Sequence, residues 1–440
     1  MMDIVKLVRE AGVVGAGGAG FPTHVKINCS AGLVIANGAE CEPLLRVDQQ
    51  VMACYAAELV EGLRAVMAAT GAKESVICLK SHYKDAVAAL TEQVKDMPDI
   101  RLHTMKSYYP AGDEQTMVYE VTGRVVPTGG LPLDVGVVVC NVSTLVNVRE
   151  SLRGAPVTDK FVTVGGQVQK PVTLKAPVGT PIRRLVEEAG GPADLKQFIY
   201  ILGGPCMGAV TEDWDAPVTK TTGGVLVFHK THGIVSKKGQ FSRQDNKLIK
   251  GVCCQCSLCT QLCPRNALGL HVEPHKAMRA IASGNGELLG ECNGIFSCCD
   301  CGVCTYYACN FGLKPASVMT LFKENLRQKG VKPKKEVYGR PDGGILTKRV
   351  PVKRLIGRLG ISAYDVPAPL VPEPLDVREV AIPLKMCVGS AAKPVVKGGQ
   401  RVRRGELIAD VEEGVLGAKV HASIDGTVLS VTEEQVRIGK

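Results

Sequence analysis

Cys253-Cys254-Gln255-Cys256-Ser257-Leu258-Cys259-Thr260-Gln261-Leu262-Cys263-Pro264 is the stretch that decides how this chain is read. A second run, Cys298-Cys299-Asp300-Cys301-Gly302-Val303-Cys304, follows and is trailed by Cys309. In the first run Cys253, Cys256, Cys259 and Cys263 fit C-x2-C-x2-C-x3-C-P without a gap. That is the spacing at which thiolates hold a [4Fe-4S] cluster, because two-residue gaps let a tight loop turn successive thiolates toward one cubane. The second run repeats the triplet as Cys298, Cys301 and Cys304, but its last gap is four residues and Asn310 stands where Pro is usual. The chemistry expected is electron transfer.

When two such runs share one domain, the last Cys of each commonly serves the other cluster. One cluster is therefore expected on Cys253, Cys256, Cys259 and Cys309, the other on Cys298, Cys301, Cys304 and Cys263. Cys292 and Cys299 stand as substitutes for Cys309. Zinc competes as a reading, since C-x2-C pairs also build structural zinc sites, but zinc rarely needs eight thiolates in triplets. Disulfides fit less well, because no secretory signal opens the chain. The other ten cysteines are scattered and read as small buried hydrophobes.

With 440 residues, 45% of them hydrophobic, and 49 glycines, the chain should hold several globular modules rich in tight turns. No apolar run approaches the length of a membrane span, and a reducing cytoplasm suits free thiols and clusters. The net charge of +10 is uneven. Between Lys314 and Arg358 lie thirteen Lys or Arg and three acids, Glu324, Glu336 and Asp342. That segment reads as a basic linker or as a docking face for an acidic redox partner. Few aromatics interleave the charge, so nucleic acid is not expected.

Near the amino terminus comes Val14-Gly15-Ala16-Gly17-Gly18-Ala19-Gly20-Phe21-Pro22-Thr23, in which Gly15, Gly17, Gly18 and Gly20 crowd six positions. Such a loop lets backbone N–H groups approach a phosphate closely. It matches G-x-G-x-x-G, yet no clear strand precedes it. An apolar strand over Leu33–Ala36 then ends in Asn37-Gly38-Ala39-Glu40-Cys41-Glu42-Pro43. Further strands are predicted at 75–80 and 135–141, with helices at 48–70, 82–96 and 113–122. Such alternation predicts an α/β domain with its ligand at the strands' carboxyl ends.

The glycine loop with Lys26, the Asn37–Pro43 segment, Gly112-Asp113-Glu114 and Asn141-Val142-Ser143-Thr144 resemble the NADH-oxidising flavoprotein subunit of respiratory complex I. The resemblance implies FMN held by the glycine loop, Lys26, Asn37 and Asn141. It implies NADH near Phe21, Glu42 and Glu114, with Glu40, Gly112 and Asp113 among the flavin and NADH contacts of the matching segments. The chain departs from that family at Ala16, Ala39 and Cys140. Hydride transfer needs no protein acid or base, so no catalytic residue is assigned.

The expected modules are a flavin domain over 1–155, a β-grasp domain over 156–232, a two-cluster ferredoxin-like domain over 248–327, a basic linker over 328–377 and an all-β module over 378–440. The second resembles the soluble-ligand-binding β-grasp (SLBB) domain and the last a barrel-sandwich hybrid. In this order the modules resemble the cobalamin reductases of propanediol-utilisation microcompartments and their RnfC-like relatives. That resemblance implies electrons passing from NADH through FMN and the clusters to a corrinoid. The alternative is a relay subunit between NADH and a ferredoxin, flavodoxin or membrane complex. It further implies a microcompartment interior, with the shell or a corrinoid adenosyltransferase as partners.

Overall fold

The computed structural model describes residues 3–239, 241–290, 292–336 and 339–440. The parts of the expected modules and linker that fall on the intervening positions lie outside the described residues. Strands Leu33–Gly38, Glu74–Lys80, Ile100–Met105 and Val137–Asn141 form one parallel sheet. Its spatial order places Leu33–Gly38 between Glu74–Lys80 and Val137–Asn141. The chain thus moves outward from the central strand, then returns to its other side. A doubly wound sheet opens a crevice at that reversal, beyond the strands' carboxyl ends. Asn37 and Asn141 are paired across it.

The expected helix over 48–70 is two, Val47–Cys54 and Ala56–Thr70. The backbone leaves helical geometry at Tyr55, whose ring packs 5.3 Å from Phe161 of the next module. The strand Ile100–Met105 escaped the sequence reading; it is an edge strand with only its end residues buried, so its pattern is weak. A helix, Ile4–Glu10, precedes the glycine loop. The loop itself is a bridged turn closed by Val14 and Pro22, and is not the strand-to-helix turn of an ordinary dinucleotide fold.

The β-grasp module centres on parallel strands Asp159–Gly166 and Gly224–His229, with Val172–Pro177 and Phe198–Leu202 flanking them antiparallel. Helix Ile182–Glu188 covers this sheet through Ile182, Leu185 and Val186. The segment read as a basic linker is tied down at several points. Its strand Val350–Pro351 pairs with Tyr108–Tyr109, helix Val352–Leu359 buries Leu355, Ile356 and Leu359, and strand Leu370–Pro374 joins the β-grasp sheet edge. Arg349 lies 4.2 Å from the Tyr108 ring centre and donates to Glu120 at 2.5 Å.

The carboxyl-terminal module packs a four-stranded and a three-stranded sheet around Val380, Ile382, Ile408, Val436 and Ile438. It also reaches the glycine loop. Val388 N–H donates to the Gly20 carbonyl at 3.3 Å, and Lys220 Nζ joins the carbonyls of Gly12 and Lys419 at 2.7 and 2.8 Å. Gly20 has φ +72°, and a Cβ there would stand 2.8 Å from Thr221 Cγ2 and 3.1 Å from the Met386 carbonyl. Both restraints require glycine.

Helices Ala56–Thr70 and Val142–Leu152 approach so closely that a Cβ on Gly62 would lie 1.9 Å from the Leu145 carbonyl. Gly62→Ala sets helix propensity against this contact, and the clash is the larger effect. The variant should lose about 1–3 kcal/mol in denaturant unfolding; a gain in stability would place the helices farther apart than described.

Candidate functional site: a flavin crevice joined to two thiol clusters

At the crevice the glycine loop lies on the start of helix Val142–Leu152. Ala16 N–H donates to Thr144 Oγ1 at 2.9 Å, and Lys160 Nζ holds the Ala16 carbonyl at 2.6 Å. A Cβ on Gly17 would stand 2.6 Å from Asn141 Nδ2, whereas nothing lies within 4 Å of one on Gly18. The loop is thus pressed against Asn141 at one glycine and open at the next. Asn141 caps the helix by accepting from Ser143 N–H at 2.9 Å, while its amide donates to both Asp48 oxygens at 3.1 and 3.0 Å. Open glycine backbone beside a helix amino terminus fits a phosphate group.

Asn37 spans the crevice wall: its amide donates to the Gly112 carbonyl at 2.9 Å and its oxygen accepts from Ala39 N–H at 3.2 Å. Gly112 is obligatory here, since a Cβ would stand 2.6 Å from the Ala39 carbonyl. Lys26 and Glu114 form an ion pair at 3.0 Å. Burial pulls the Lys26 pKa down, but Glu114 more than offsets this and leaves it above the ordinary lysine value. Phe21, at the end of the glycine loop, is exposed, its carbonyl accepting from Gly15 N–H.

A set of titratable groups lies beneath this surface. Burial first, then nearby Asp48, pushes Glu40 up to about 8, although the Glu42 amide donates to it. Burial brings Lys160 down to about 8 against the pull of Asp48 and Glu40, and also lowers Lys80. Burial thus shifts Glu40 toward its protonated form.

Two residues connect the crevice to the cysteines. Glu42 accepts from Cys206 and Met207 N–H groups at 2.8 and 3.0 Å and from the Tyr109 hydroxyl at 3.1 Å. Its carboxylate is thereby engaged by the β-grasp module and Tyr109. The Tyr109 hydroxyl lies 2.7 Å from the Cys301 carbonyl. Asp113 caps helix Glu114–Thr122 and accepts a two-pronged bond from Arg265, Nε at 2.8 Å and Nη2 at 2.6 Å. Their side chains are only 8% and 11% exposed. Burial alone would raise the Asp113 pKa; Arg265 overrides it and holds the carboxyl below its usual range.

The two cysteine runs share one backbone device. Gln255 and Asp300 have φ of +56° and +55°, and Ser257 and Gly302 have +58° and +73°. These are equivalent positions, one inside each two-residue gap. Left-handed residues there coil each loop around its own interior. Cys253, Cys256, Cys259 and Cys309 line one cavity with Met278, Phe311 and Leu313. Burial pushes Cys259 up to about 12, with Cys309, Cys253 and Cys256 its next influences. Cys304 is raised by burial, then by Cys298, Cys263 and Cys259, so the second group adjoins the first.

Burial likewise takes Cys263 up to about 12. Thiols crowded this way are costly to ionise unless a metal supplies the charge, and the residues present fit cubane clusters. No three Cys, His, Asp or Glu side chains among the described residues converge on a single ion; a cubane lies between its thiolates and holds them apart. Of the substitutes, Cys299 belongs with the inner group through a hydrogen bond with Cys301, and Cys292 is absent from the outer lining.

Asp48, Lys80, Tyr109, Lys160 and Arg265 were not found from the sequence. Only Arg265 left a signal, following Cys263-Pro264 directly; the others are single polar residues whose importance comes from folding.

Family models match the chain in the same order: a Nuo51 FMN-binding domain over 8–150, an SLBB domain over 161–209, a 4Fe-4S dicluster domain over 252–314 and an RnfC barrel sandwich hybrid domain over 371–440. Cobalamin reductase PduS of Salmonella typhimurium is 42% identical over 99% of this chain and 96% of its own length. The chain belongs to the PduS cobalamin reductase family. It is accordingly an oxidoreductase whose cofactors are FMN and [4Fe-4S] clusters. The Citrobacter freundii member is 41% identical over 98% of the chain and 95% of its own length. One component of the Na+-translocating ferredoxin:NAD+ oxidoreductase complex of Acetobacterium woodii is 33% identical over 62% of this chain and 58% of that one.

Among solved structures, an NAD+-reducing [NiFe]-hydrogenase is similar at TM-score 0.48 and 21% identity, covering 82% of this chain and 66% of that one. No helix of the described residues is long and apolar enough to cross a membrane.

Asp113→Asn should cost about 3–5 kcal/mol, because it leaves the Arg265 charge buried and uncompensated; unfolding monitored by near-UV circular dichroism checks it. Glu40 gives a pH effect of defined sign. Its folded pKa lies above the ordinary 4.5, so its contribution is complete at low pH and is lost as pH rises toward about 8. Glu40→Gln should flatten that fall, gaining more than about 1 kcal/mol on the wild type between pH 5 and 8. Parallel melting curves across that range would contradict it.

Proposed function

We propose that this chain oxidises NADH and delivers single electrons to a corrinoid. The observation carrying this reading is the buried Asp113–Arg265 pair, which fastens a crevice fitted for FMN to thiols fitted for clusters. FMN, when bound, would supply the exchange between the two electrons of one hydride and single electrons, and the clusters would supply single-electron carriage.

The chain's own residues do the positioning. Gly15, Gly17, Gly18 and Gly20 offer backbone to the flavin phosphate, with Asn141 and the start of its helix behind them. Asn37, Gly112 and Asp113 form the crevice wall, and Lys26 is paired with Glu114. Phe21 and Glu40 border the nucleotide side. Glu42 acts one step removed, keeping Tyr109 and the β-grasp turn in place. Cys263, Cys298, Cys301 and Cys304 hold the inner cluster; Cys253, Cys256, Cys259 and Cys309 hold the outer one.

The names of the two PduS relatives support a corrinoid acceptor. The exposed Cys256 of the outer group favours one second reading, a relay to a ferredoxin, flavodoxin or membrane complex. The family resemblance also points to a microcompartment interior with the shell or a corrinoid adenosyltransferase as neighbours.

The test is an anaerobic spectrum of the holoprotein with NADH, then with a cob(III)alamin. Bleaching of flavin and cluster bands followed by corrinoid reduction is expected. Bleaching without corrinoid reduction would transfer the function to the relay reading. An unbleached, FMN-loaded protein would mean that Ala16, Ala39 and Cys140 mark a lost NADH site.

A further inference from the structure

The four inner cysteines are not equally enclosed: Cys263, Cys301 and Cys304 are buried, whereas Cys298 is half-buried. Cys298 lines a cavity of about 500 Å³ together with Gln115, Arg265, Phe296 and Ser297. That volume is in the range of small-molecule sites. The glycine loop, Lys26, Asn37 and Asn141 do not border it, so it is separate from the flavin crevice. One wall is the strap over 330–333, laid on the turn at Gly129, where a Cβ would stand 2.8 Å from Pro333 Cβ. Thr128 N–H donates to the Glu336 carbonyl at 2.9 Å and Lys335 pairs with Asp134 at 2.9 Å, which ties the strap to the flavin domain.

The lining holds polar atoms without partners. Ser297 is 5% exposed and its hydroxyl makes no hydrogen bond; the side-chain oxygen of Gln115 is buried and unpaired as well. Buried polar groups left unpaired are uncommon and costly, and these two belong to the same cavity. The charge inside is already balanced, since Arg265 is bound by Asp113. At the exposed rim stand Arg327 and Lys332, whose side chains have no hydrogen bond or ion pair among the described residues. Phe296, Val331 and Pro333 add apolar surface. The guest that suits this lining has a neutral body with hydrogen-bond donors and apolar edges, and an anion at its periphery.

We infer that this cavity is the docking site of the corrinoid, which enters by one edge beside Cys298, sets carboxamides against Gln115 and Ser297, and lays its phosphodiester against Arg327 and Lys332. A corrin is fringed by methyl groups and neutral carboxamides and carries its phosphodiester on a flexible tail, which is the pattern the lining offers. The inference rests on the corrinoid reading above. It goes beyond that reading in assigning the site, the residues that recognise the ligand, and the inner rather than the outer cysteines as its neighbours.

Equilibrium dialysis of oxidised, anaerobically purified holoprotein tests it with two coordinatively saturated corrinoids. One is cyanocobalamin; the other is dicyanocobinamide, which lacks the phosphodiester and the base. Cyanocobalamin should bind about tenfold more tightly. Arg327→Glu/Lys332→Glu should abolish that difference, weakening cyanocobalamin about tenfold and sparing dicyanocobinamide, and the matched reversal Lys247→Glu/Lys250→Glu should change neither. Ser297→Ala should weaken both corrinoids about threefold or more without lowering the melting temperature, since it removes an unpaired hydroxyl. No binding of cyanocobalamin, equal binding of both corrinoids by the wild type, equal weakening of both by the Arg327 and Lys332 reversal, or competitive displacement by NAD+ would overturn the inference. Reduction of cob(III)alamin by NADH, followed in the same proteins, separates the two levels. A corrinoid that is reduced while Arg327→Glu/Lys332→Glu binds it as the wild type does would fail the site and keep the reading. A corrinoid bound as expected but never reduced would fail the reading and keep the site.

Discussion

The buried pair of Asp113 and Arg265 is the interaction on which the arrangement depends. Asp113 starts the helix after Gly112, on the wall of the flavin crevice; Arg265 follows the Cys-Pro step that ends the first cysteine run. Two parallel N–H···O bonds fix orientation as well as distance, which a single point charge would not do. A buried ion pair is a poor source of net stability once desolvation is counted. Its value here is register: it allows one relative placement of crevice and inner cysteines. Arg265 Nη1, 3.4 Å from the Ser297 carbonyl, extends that register to the second run.

Tyr109 supplies a second, independent tie. Its hydroxyl sits between Glu42, on the loop after the central strand, and the carbonyl of Cys301. Glu42 in turn accepts two amides of the β-grasp turn, where a Cβ on Gly204 would stand 2.0 Å from its Oε2. Three modules therefore meet around one carboxylate, and the carboxyl-terminal module meets the glycine loop on the far side through Val388 and Lys220. The β-grasp and barrel-sandwich modules act as clamps on the crevice, whatever else they bind. Fixed placement matters for a redox chain because small displacements of reacting groups are costly in rate.

Much of this was legible in the sequence because its strongest signals are local. Two-residue gaps between cysteines and four glycines in six positions have meaning without any tertiary context. The same holds for the alternation that marks the flavin sheet, except at the thinly buried edge strand Ile100–Met105. What stayed hidden was long-range. Asp113 and Arg265 are 152 positions apart, and nothing in the sequence marks the bonds that Glu42 accepts from Cys206 and Tyr109. Asp48, Lys80 and Lys160 carry no motif; burial alone gives them altered titration. The basic stretch after Gln328 misled for a related reason: its charge suggested free linker, but Leu355, Ile356 and Leu359 recur at helical spacing and are buried.

The central claim is that the Asp113–Arg265 pair holds the inner cysteines in working register with the flavin crevice. Stopped-flow spectra of wild type and Arg265→Lys after mixing with NADH test it most directly, since lysine keeps the charge and loses the fork. The account predicts unchanged flavin bleaching in the variant, with cluster bleaching slowed by about tenfold or more. Flavin and cluster bands that both bleach at wild-type rates would contradict it.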